Sequence, residues 1–211
     1  MTALSIVKRQ LRKDVLGLRA QLPEQARAAY DAAITERLLQ LPEYRRAGAV
    51  LGYMNFGAEF ASELWVARVL AECKRLALPK VNHHTNQLDL YWVEDLETQL
   101  ETGLWGIREP MVERCTRVLA PGEVEFVLMP GVAFTRSGAR LGYGGGFYDK
   151  LLARLGQENA GAPRPALVAA AYALQLVEQI PQEATDVKVE WLVTERETIA
   201  CSVQGDLARD R

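Results

Sequence analysis

Residues 124–130 read Val-Glu-Phe-Val-Leu-Met-Pro, and residues 140–149 read Arg-Leu-Gly-Tyr-Gly-Gly-Gly-Phe-Tyr-Asp. The first stretch is a continuous apolar run bounded by proline, which is typical of a buried strand. The second places four glycines in five positions ahead of a predicted helix over 148–155. Backbone N–H groups in such a loop converge on an anion, and the N-terminus of the following helix adds positive potential. A buried strand followed by this loop and a helix predicts an anion-binding corner of an α/β fold.

Further apolar segments lie on both sides of this pair. Buried strands are predicted at 49–56 and 166–172, further strands at 75–81, 88–93 and 191–194, and an edge strand at 198–203. Helices are predicted at 63–73, with Ser62 as its N-cap, and near 96–101. Buried strands that alternate with helices predict a three-layer α/β/α, Rossmann-like fold, with a mostly parallel sheet and helices on both faces.

The first forty residues are helical in pattern. Apolar residues recur at three- and four-residue steps, at Leu4, Val7, Leu11, Val15 and Leu18. A second helix is predicted to begin at Pro23 and to end at Pro42. We expect these helices, within 3–40, to pack on the α/β core. Only the polar loop at 156–165 resembles a linker, so a single domain over 1–211 is expected.

The composition excludes several classes of protein. The chain has 25 Lys and Arg against 27 Asp and Glu, a net charge of -2, which disfavours a nucleic-acid binder. Three scattered cysteines without a C-x-x-C pair argue against a zinc site and suit a reducing compartment. The N-terminus has no secretory pattern, and no apolar run approaches the ~20 residues of a membrane span. A cytoplasmic protein without a nucleic-acid or membrane partner is expected.

The glycine-rich stretch has two interpretations from its residues alone. It is neither a Walker A loop, since no Gly-Lys-Ser/Thr follows, nor G-x-G-x-x-G, since Phe147 stands at the third glycine position. A flexible surface turn would have this composition. Arg140 and Asp149 at its ends favour phosphate binding instead, because a guanidinium neutralises phosphate and a carboxylate holds a divalent ion.

Four other segments carry weaker signals. Lys8 and Arg12 in the sequence Lys-Arg-Gln-Leu-Arg share a helix face, as either a cationic clamp or a solvated side. Glu59 ends Gly-Tyr-Met-Asn-Phe-Gly-Ala-Glu, where it either bonds an amino-pyrimidine edge or is a plain loop residue. Trp105 lies among turn residues and either stacks on a heterocycle or packs in the core. Asp186, in Thr-Asp-Val-Lys-Val-Glu, precedes a strand and is unremarkable alone.

In this order the five segments resemble the 5-formyltetrahydrofolate cyclo-ligase (5,10-methenyltetrahydrofolate synthetase) family, from Lys8 to about Glu195. The most specific parts are Met-Pro-Gly-Val-Ala-Phe at 129–134 and the stretch at 138–149. The resemblance implies ATP- and magnesium-dependent cyclisation of 5-formyltetrahydrofolate to 5,10-methenyltetrahydrofolate. The formyl oxygen is phosphorylated, N10 attacks, and ADP and phosphate are released.

The resemblance also implies roles for individual residues. Those that bind ATP are Lys8, Arg9, Gln10, Leu11, Arg12, Arg140, Leu141, Gly142, Tyr143, Gly144, Gly145, Gly146, Phe147 and Tyr148. Those that contact the folate are Met54, Glu59, Trp105 and Phe147. Asp149 and Asp186 match the carboxylates that hold magnesium. Glu59 and Arg140 are the candidates for catalysis, Glu59 by orienting the substrate or accepting the N10 proton and Arg140 by facing phosphate.

The chain departs from the family pattern at Thr135, Phe147 and Glu190, where Asp, Tyr and Asp are usual. None of these changes removes a group that the reaction requires. Two other functions remain open: a non-catalytic folate- or nucleotide-binding module, and a sugar-phosphate isomerase or CoA-transferase relative. A storage module has no need of the magnesium carboxylates. A monomer is expected.

Overall fold

The computed structural model describes residues 3–103, 106–158 and 163–201. Its α-helices are α1 (Ala3–Ala20), α2 (Glu24–Gln40), α3 (Pro42–Arg46), α4 (Ser62–Ala71) and α5 (Phe147–Glu158). The strands are β1 (Ala49–Leu51), β2 (Arg75–Asn82), β3 (Gln87–Val93), β4 (Leu100–Thr102), β5 (Arg108–Pro110), β6 (Thr116–Arg117), β7 (Phe126–Met129), β8 (Ala133–Phe134), β9 (Arg140–Leu141), β10 (Ala166–Ala170), β11 (Trp191–Val193) and β12 (Thr198–Ala200).

The main sheet of the described residues has eight strands in the order β12-β11-β10-β7-β1-β2-β3-β6. The five central strands, from β11 to β2, run parallel, and each strand outside them pairs antiparallel with its inner neighbour. The chain leaves β1 for β2 on one side, whereas β7 pairs with β1 on the other. In open α/β sheets a ligand crevice lies outside the carboxyl ends of the strands at such a point of reversal. Here that crevice is at the ends of β1 and β7.

One face of the sheet is covered by α2, α3 and α4. Ile34 and Leu38, four residues apart on α2, are fully buried against the sheet. Tyr44, Trp65 and Phe126 form a ring cluster with centroids 5.6 to 5.8 Å apart. Burial of each ring contributes about 1.5–3 kcal/mol, so this cluster anchors α3 and α4 to β7.

The other face is covered by α5. Leu151, Leu152 and Leu155 on α5 are buried in one hydrophobic cluster with Val127 of β7 and Leu192 of β11. Because helices lie on both faces, the predicted α/β layering with a mostly parallel sheet is confirmed.

Helix α1 packs in a different place from α2. Its buried Val15 and half-buried Leu11 and Leu16 contact a third cluster, formed by β8, β9 and their surroundings. Val7 and Leu18, predicted as part of its apolar stripe, are 51% and 52% exposed. Helix α1 therefore lies on the small β8–β9 hairpin rather than on the main sheet. That hairpin leads directly into the glycine-rich loop.

Several predicted boundaries are wrong near the site. Strand β1 ends at Leu51 rather than at residue 56, and the chain then crosses the carboxyl edge of the sheet as a loop. Ser62 does not cap α4, because its hydroxyl donates to the carbonyl of Tyr53 at 2.6 Å and Ala61 holds the N-cap position. Pro42 ends α2 but also begins α3.

The helix predicted near 96–101 is also wrong. The carboxylate of Asp95 accepts the N–H groups of Glu97 and Thr98, which makes a tight turn that leads into β4. Strand β4 pairs antiparallel with β5 as a separate small sheet. Strand β10 ends at Ala170 rather than at residue 172. Strand β12 ends at Ala200, and residues 202 and 203 of the predicted edge strand lie outside the described part of the chain.

Candidate functional site

A cavity of about 610 Å³ opens at the carboxyl ends of β1 and β7. Its walls come from α1, the loop after β1, the β2 and β3 strands, the glycine-rich loop with the start of α5, and the segment 183–186. The predicted site residues among its lining are Lys8, Arg12, Met54, Glu59, Asp186 and every residue of 140–149. The fold thus gathers residues from distant parts of the sequence at one crevice.

The glycine-rich loop is held in place by α1. Gly144 has φ +106° and Gly146 has φ +64°, a backbone region that favours glycine, and α5 begins directly afterwards. The guanidinium of Arg12 donates from Nε to the carbonyl of Gly142 at 2.7 Å. A Cβ at Gly144 would lie 3.6 Å from the Arg12 Cζ atom. The loop therefore lines the cavity and is tied to α1 at Gly142, although residues 143–146 are exposed.

Arg140 is fixed between β7 and α5. Its Nη2 donates to Oδ1 of Asp149 at 2.7 Å, and its Nη1 donates to the carbonyl of Pro130 at 3.3 Å. Its side chain is only 5% exposed, and Nε is buried without a hydrogen-bond partner among the described residues. A buried guanidinium with an unpaired donor has capacity left for an anionic ligand.

A second cation–carboxylate cluster joins α1 to the segment 183–186. Lys8 donates to Asp186 at 2.8 Å and to Glu183 at 3.0 Å. Burial opposes the charge on Lys8, but these two hydrogen bonds and the charges of Asp186 and Glu183 together outweigh it and raise the pKa of Lys8. Burial likewise opposes ionisation of Asp186, but the hydrogen bonds from Lys8 and the Glu183 N–H, together with the charges of Lys8 and Arg140, outweigh it and lower the pKa of Asp186. Both groups of the pair are therefore charged at neutral pH.

Glu59 is a buried carboxylate at the cavity wall, 6% exposed. Its Oε1 accepts the hydroxyl of Tyr143 at 2.6 Å, and its Oε2 accepts the N–H of Phe56 at 2.7 Å. Burial raises the pKa of Glu59, while those two hydrogen bonds and the charge of Arg19 lower it in part. The result is a carboxylate in a fixed orientation with lone pairs left for a donor on a ligand.

Comparisons with known proteins identify the family of the chain. The model of the 5-formyltetrahydrofolate cyclo-ligase family matches residues 5–195. The chain belongs to this family. A 5-formyltetrahydrofolate cyclo-ligase of Haemophilus influenzae is 30% identical over 85% of this chain and 93% of its own. One from Escherichia coli is 29% identical over 83% of this chain and 93% of its own.

Solved structures agree as well. The NMR structure of Aquifex aeolicus 5,10-methenyltetrahydrofolate synthetase superposes with a TM-score of 0.79 at 34% identity, over 97% of this chain and 100% of that one. A Mycoplasma pneumoniae 5,10-methenyltetrahydrofolate synthetase shares the fold, with a TM-score of 0.68 at 19% identity. The chain is therefore an enzyme of the ligase class, as predicted.

Three of the residues predicted for ATP are not brought to the cavity of this cyclo-ligase family member. Arg9 is exposed on α1, Gln10 donates to Asp14 on the same helix at 2.8 Å, and Leu11 packs in the cluster around Val15. Only the inward face of α1, with Lys8 and Arg12, lines the cavity. Trp105, predicted to contact the folate, lies outside the described residues.

The structure adds cavity residues that sequence reasoning missed. They are Tyr53, Phe56, Pro79, Val81, Leu88, Ile107, Arg108, Glu109, Pro130 and Glu183. Most of these residues have no motif of their own. Their place in the site follows from strand order, which the sequence pattern does not encode. Among the predicted residues, the hydroxyl of Tyr148 is buried without a partner in the described part of the chain, and burial raises its pKa.

The carboxylates of the cavity fit magnesium. Within the described ranges no group of three or more His, Cys, Asp or Glu side chains is arranged to hold a metal ion. Magnesium rarely needs one, because it keeps several waters and binds one or two carboxylates together with substrate phosphates. Asp149 and Asp186 line the same cavity as the glycine-rich loop, and both offer hard oxygen ligands.

None of the described helices is both long and apolar enough to cross a membrane.

Proposed function

We propose that the chain catalyses the ATP- and magnesium-dependent cyclisation of 5-formyltetrahydrofolate to 5,10-methenyltetrahydrofolate. One observation carries this proposal: the glycine-rich loop, two cation–carboxylate pairs and the buried carboxylate of Glu59 face one cavity in a member of the cyclo-ligase family. An apolar part of the cavity, with Met54, Phe56 and Ile107, is suited to a flat heterocycle.

The chemistry explains why ATP is required. The formyl oxygen on N5 is a poor leaving group, because the formyl group is an amide. Transfer of the γ-phosphoryl group of ATP to that oxygen leaves ADP and gives an imidate-like phosphate. N10 then attacks the activated carbon and loses its proton, and phosphate departs with the oxygen. The carbon ends bonded to both N5 and N10, as the methenyl cation.

On the nucleotide side the protein supplies alignment and charge. Lys8, Arg12 and Arg140 face the phosphates, and the N–H groups of the glycine-rich loop and the start of α5 add hydrogen bonds. To reach phosphate, Lys8 leaves Asp186 and Glu183, and Arg140 leaves Asp149. The carboxylates released in this way, Asp149 and Asp186, would hold magnesium, which neutralises charge on the transferring phosphoryl group.

On the folate side Glu59 is the residue with a defined task. Its anchored carboxylate accepts hydrogen bonds from an amino-pyrimidine edge or orients the amine that reacts, and it is the candidate acceptor for the N10 proton. Met54 and Phe147 contribute apolar contact with the ring system. Trp105 remains a predicted stacking residue. Arg9, Gln10 and Leu11 have no such support from the position of their side chains. We further propose a cytoplasmic monomer.

The test is a near-ultraviolet absorbance trace of the purified protein with 5-formyltetrahydrofolate, ATP and magnesium chloride. The methenyl product has extended conjugation that the substrate lacks, so its formation raises the absorbance. A rise that requires both ATP and magnesium is the expected result. A flat trace with folate binding by calorimetry would indicate a storage module. A flat trace without folate binding would mean that the chain shares only the fold and the glycine-rich loop with the cyclo-ligases.

A further inference from the structure

A buried cation stands behind the carboxylate of Glu59. Arg19, in the last turn of α1, is 3% exposed, and its Nη2 donates to the hydroxyl oxygen of Tyr143 at 2.8 Å. Its Cζ lies 5.9 Å from the centre of the Tyr143 ring. Its Nε and Nη1 are buried without a hydrogen-bond partner among the described residues. Burial of a guanidinium charge costs free energy of folding unless the charge interacts favourably with another group.

The hydrogen bonds around Tyr143 form a chain with a defined direction. A guanidinium has only donors, so the Tyr143 oxygen accepts from Arg19 and its own proton is free for Glu59. The Tyr143 oxygen is 2.6 Å from Oε1 of Glu59. The other carboxylate oxygen is held by the N–H of Phe56. Arg19 thus acts on Glu59 through one intervening hydroxyl group.

We propose that Arg19 is a positioning residue, which acts through Tyr143 to hold Glu59 in its orientation toward the cavity and to keep it ionised for the folate. The folate part of this inference rests on the proposed function. Arg19 does not line the cavity and contacts no reacting atom, so its effect on the reaction is indirect.

The charged and titratable groups around Glu59 come from several elements. Tyr172, whose hydroxyl lies 3.2 Å from the Glu59 carbonyl, donates to Asp31 of α2 at 2.8 Å. The side chains that interact electrostatically with the Glu59 carboxylate are Arg19 of α1, Tyr53 after β1, Tyr143 in the glycine-rich loop and Tyr148 of α5. Burial raises the pKa of each of these tyrosines, so they stay neutral at physiological pH. Arg19 is therefore the cation in this group.

The first experiment needs no turnover. The carboxyl carbons of glutamate are labelled with ¹³C and titrated by NMR, and the Glu59 signal is assigned by its loss in Glu59→Gln. We expect the titration midpoint of Glu59 to move to higher pH in Arg19→Gln and in Tyr143→Phe, and to move less in Arg19→Lys, which keeps the charge. Arg37→Gln is the matched control, since Arg37 occupies the last turn of α2 away from the cavity.

The second experiment measures the reaction. In Arg19→Gln we expect kcat/KM for the folate to fall about tenfold or more, as for loss of a hydrogen bond to a charged group, with the KM for ATP unchanged. Because protonation of Glu59 removes the acceptor, the acidic limb of the pH profile should move to higher pH. Arg19→Lys should restore part of the activity.

The two proposals fail in different ways. A Glu59 midpoint that stays in place in both Arg19→Gln and Tyr143→Phe overturns the inference even if the wild type turns over. A midpoint that moves in a protein without turnover supports the positioning of Glu59 and rejects the proposed reaction. If Arg19→Gln does not fold, as judged by circular dichroism, Tyr143→Phe decides alone, because it removes one oxygen atom and keeps the ring.

Discussion

Replacement of Asp149 by asparagine is expected to change ATP binding in opposite directions with and without magnesium. In the structure Asp149 accepts a hydrogen bond from Arg140 at 2.7 Å, and the two side chains are 26% and 5% exposed. In the proposed function Arg140 exchanges this pair for a phosphate of ATP. Asp149→Asn keeps the shape of the side chain but replaces the charged acceptor with a neutral one, and it removes a negative charge from the cavity that receives the phosphates.

The size of the effect follows from the strength of that pair. A hydrogen bond to a charged group contributes about 1.5–3 kcal/mol, and the partial exposure of Asp149 places this one at the lower end, about 1.5 kcal/mol. The variant should therefore bind magnesium-free ATP up to about tenfold more tightly than the wild type. In excess magnesium the order should reverse, because the metal has lost one of its carboxylate ligands.

The assay is isothermal titration calorimetry with ATP in the presence of EDTA, repeated in excess magnesium chloride. Glu197→Gln is the matched control, because Glu197 forms an ion pair with Arg136 outside the cavity. If Asp149→Asn binds magnesium-free ATP more weakly than the wild type and keeps the full magnesium dependence, then Asp149 neither restrains Arg140 nor binds the metal.

Three further predictions concern the same cavity. Lys8→Ala combined with Arg12→Ala should raise the KM for ATP far more than that for the folate, and equal effects in steady-state kinetics would contradict the clamp. Burial raises the pKa of Glu59 in the folded protein, so its ionised form destabilises the fold once the pH rises above the unfolded pKa. Glu59→Gln should therefore unfold at a higher urea concentration than the wild type at neutral pH. That gain should vanish below the unfolded pKa, and a variant less stable at every pH would refute the sign. Gly144→Ala forces an alanine to φ +106° and should cost about 2 kcal/mol in urea unfolding, whereas Gly156→Ala in α5, with open space, should cost nothing.

The parts of the site that the sequence predicts are those held within one segment. Arg140 and Asp149 are only nine residues apart in the sequence, at the two ends of the glycine-rich loop. They lie close in space because β9 and the first turn of α5 flank this short loop. The mostly parallel sheet is also predictable, since its apolar strands are continuous. The helix near 96–101 fails because Asp95 satisfies backbone N–H groups in a turn, which competes with helix formation.

Arg19 shows what local pattern reasoning misses. Alone it is a basic residue on an amphipathic helix, which is ordinarily solvated. Arg12, Val15 and Arg19 lie four, seven and eleven residues after Lys8 on the same helix. At 3.6 residues per turn, all four share one face. The structure buries this face and leaves Val7 and Leu18 half in solvent. The sequence signal for a buried Arg19 was a row of basic residues on the same helix face as the apolar Val15. Using that signal requires knowing that this face of the helix lies against acidic residues of a cavity.

The contacts of α1 explain how so many charges are tolerated at a partly enclosed cavity. A cation held there without a partner would be costly, and so would a carboxylate. In the structure Lys8 neutralises Asp186 and Arg140 neutralises Asp149, so two of the three cations proposed for phosphate are stabilised by the carboxylates proposed for metal. Under the proposed function, a nucleotide alone would free the carboxylates into an anionic cavity, and a metal ion alone would free the cations. Only the metal and the nucleotide together supply a new partner for all four groups, so each should strengthen the binding of the other.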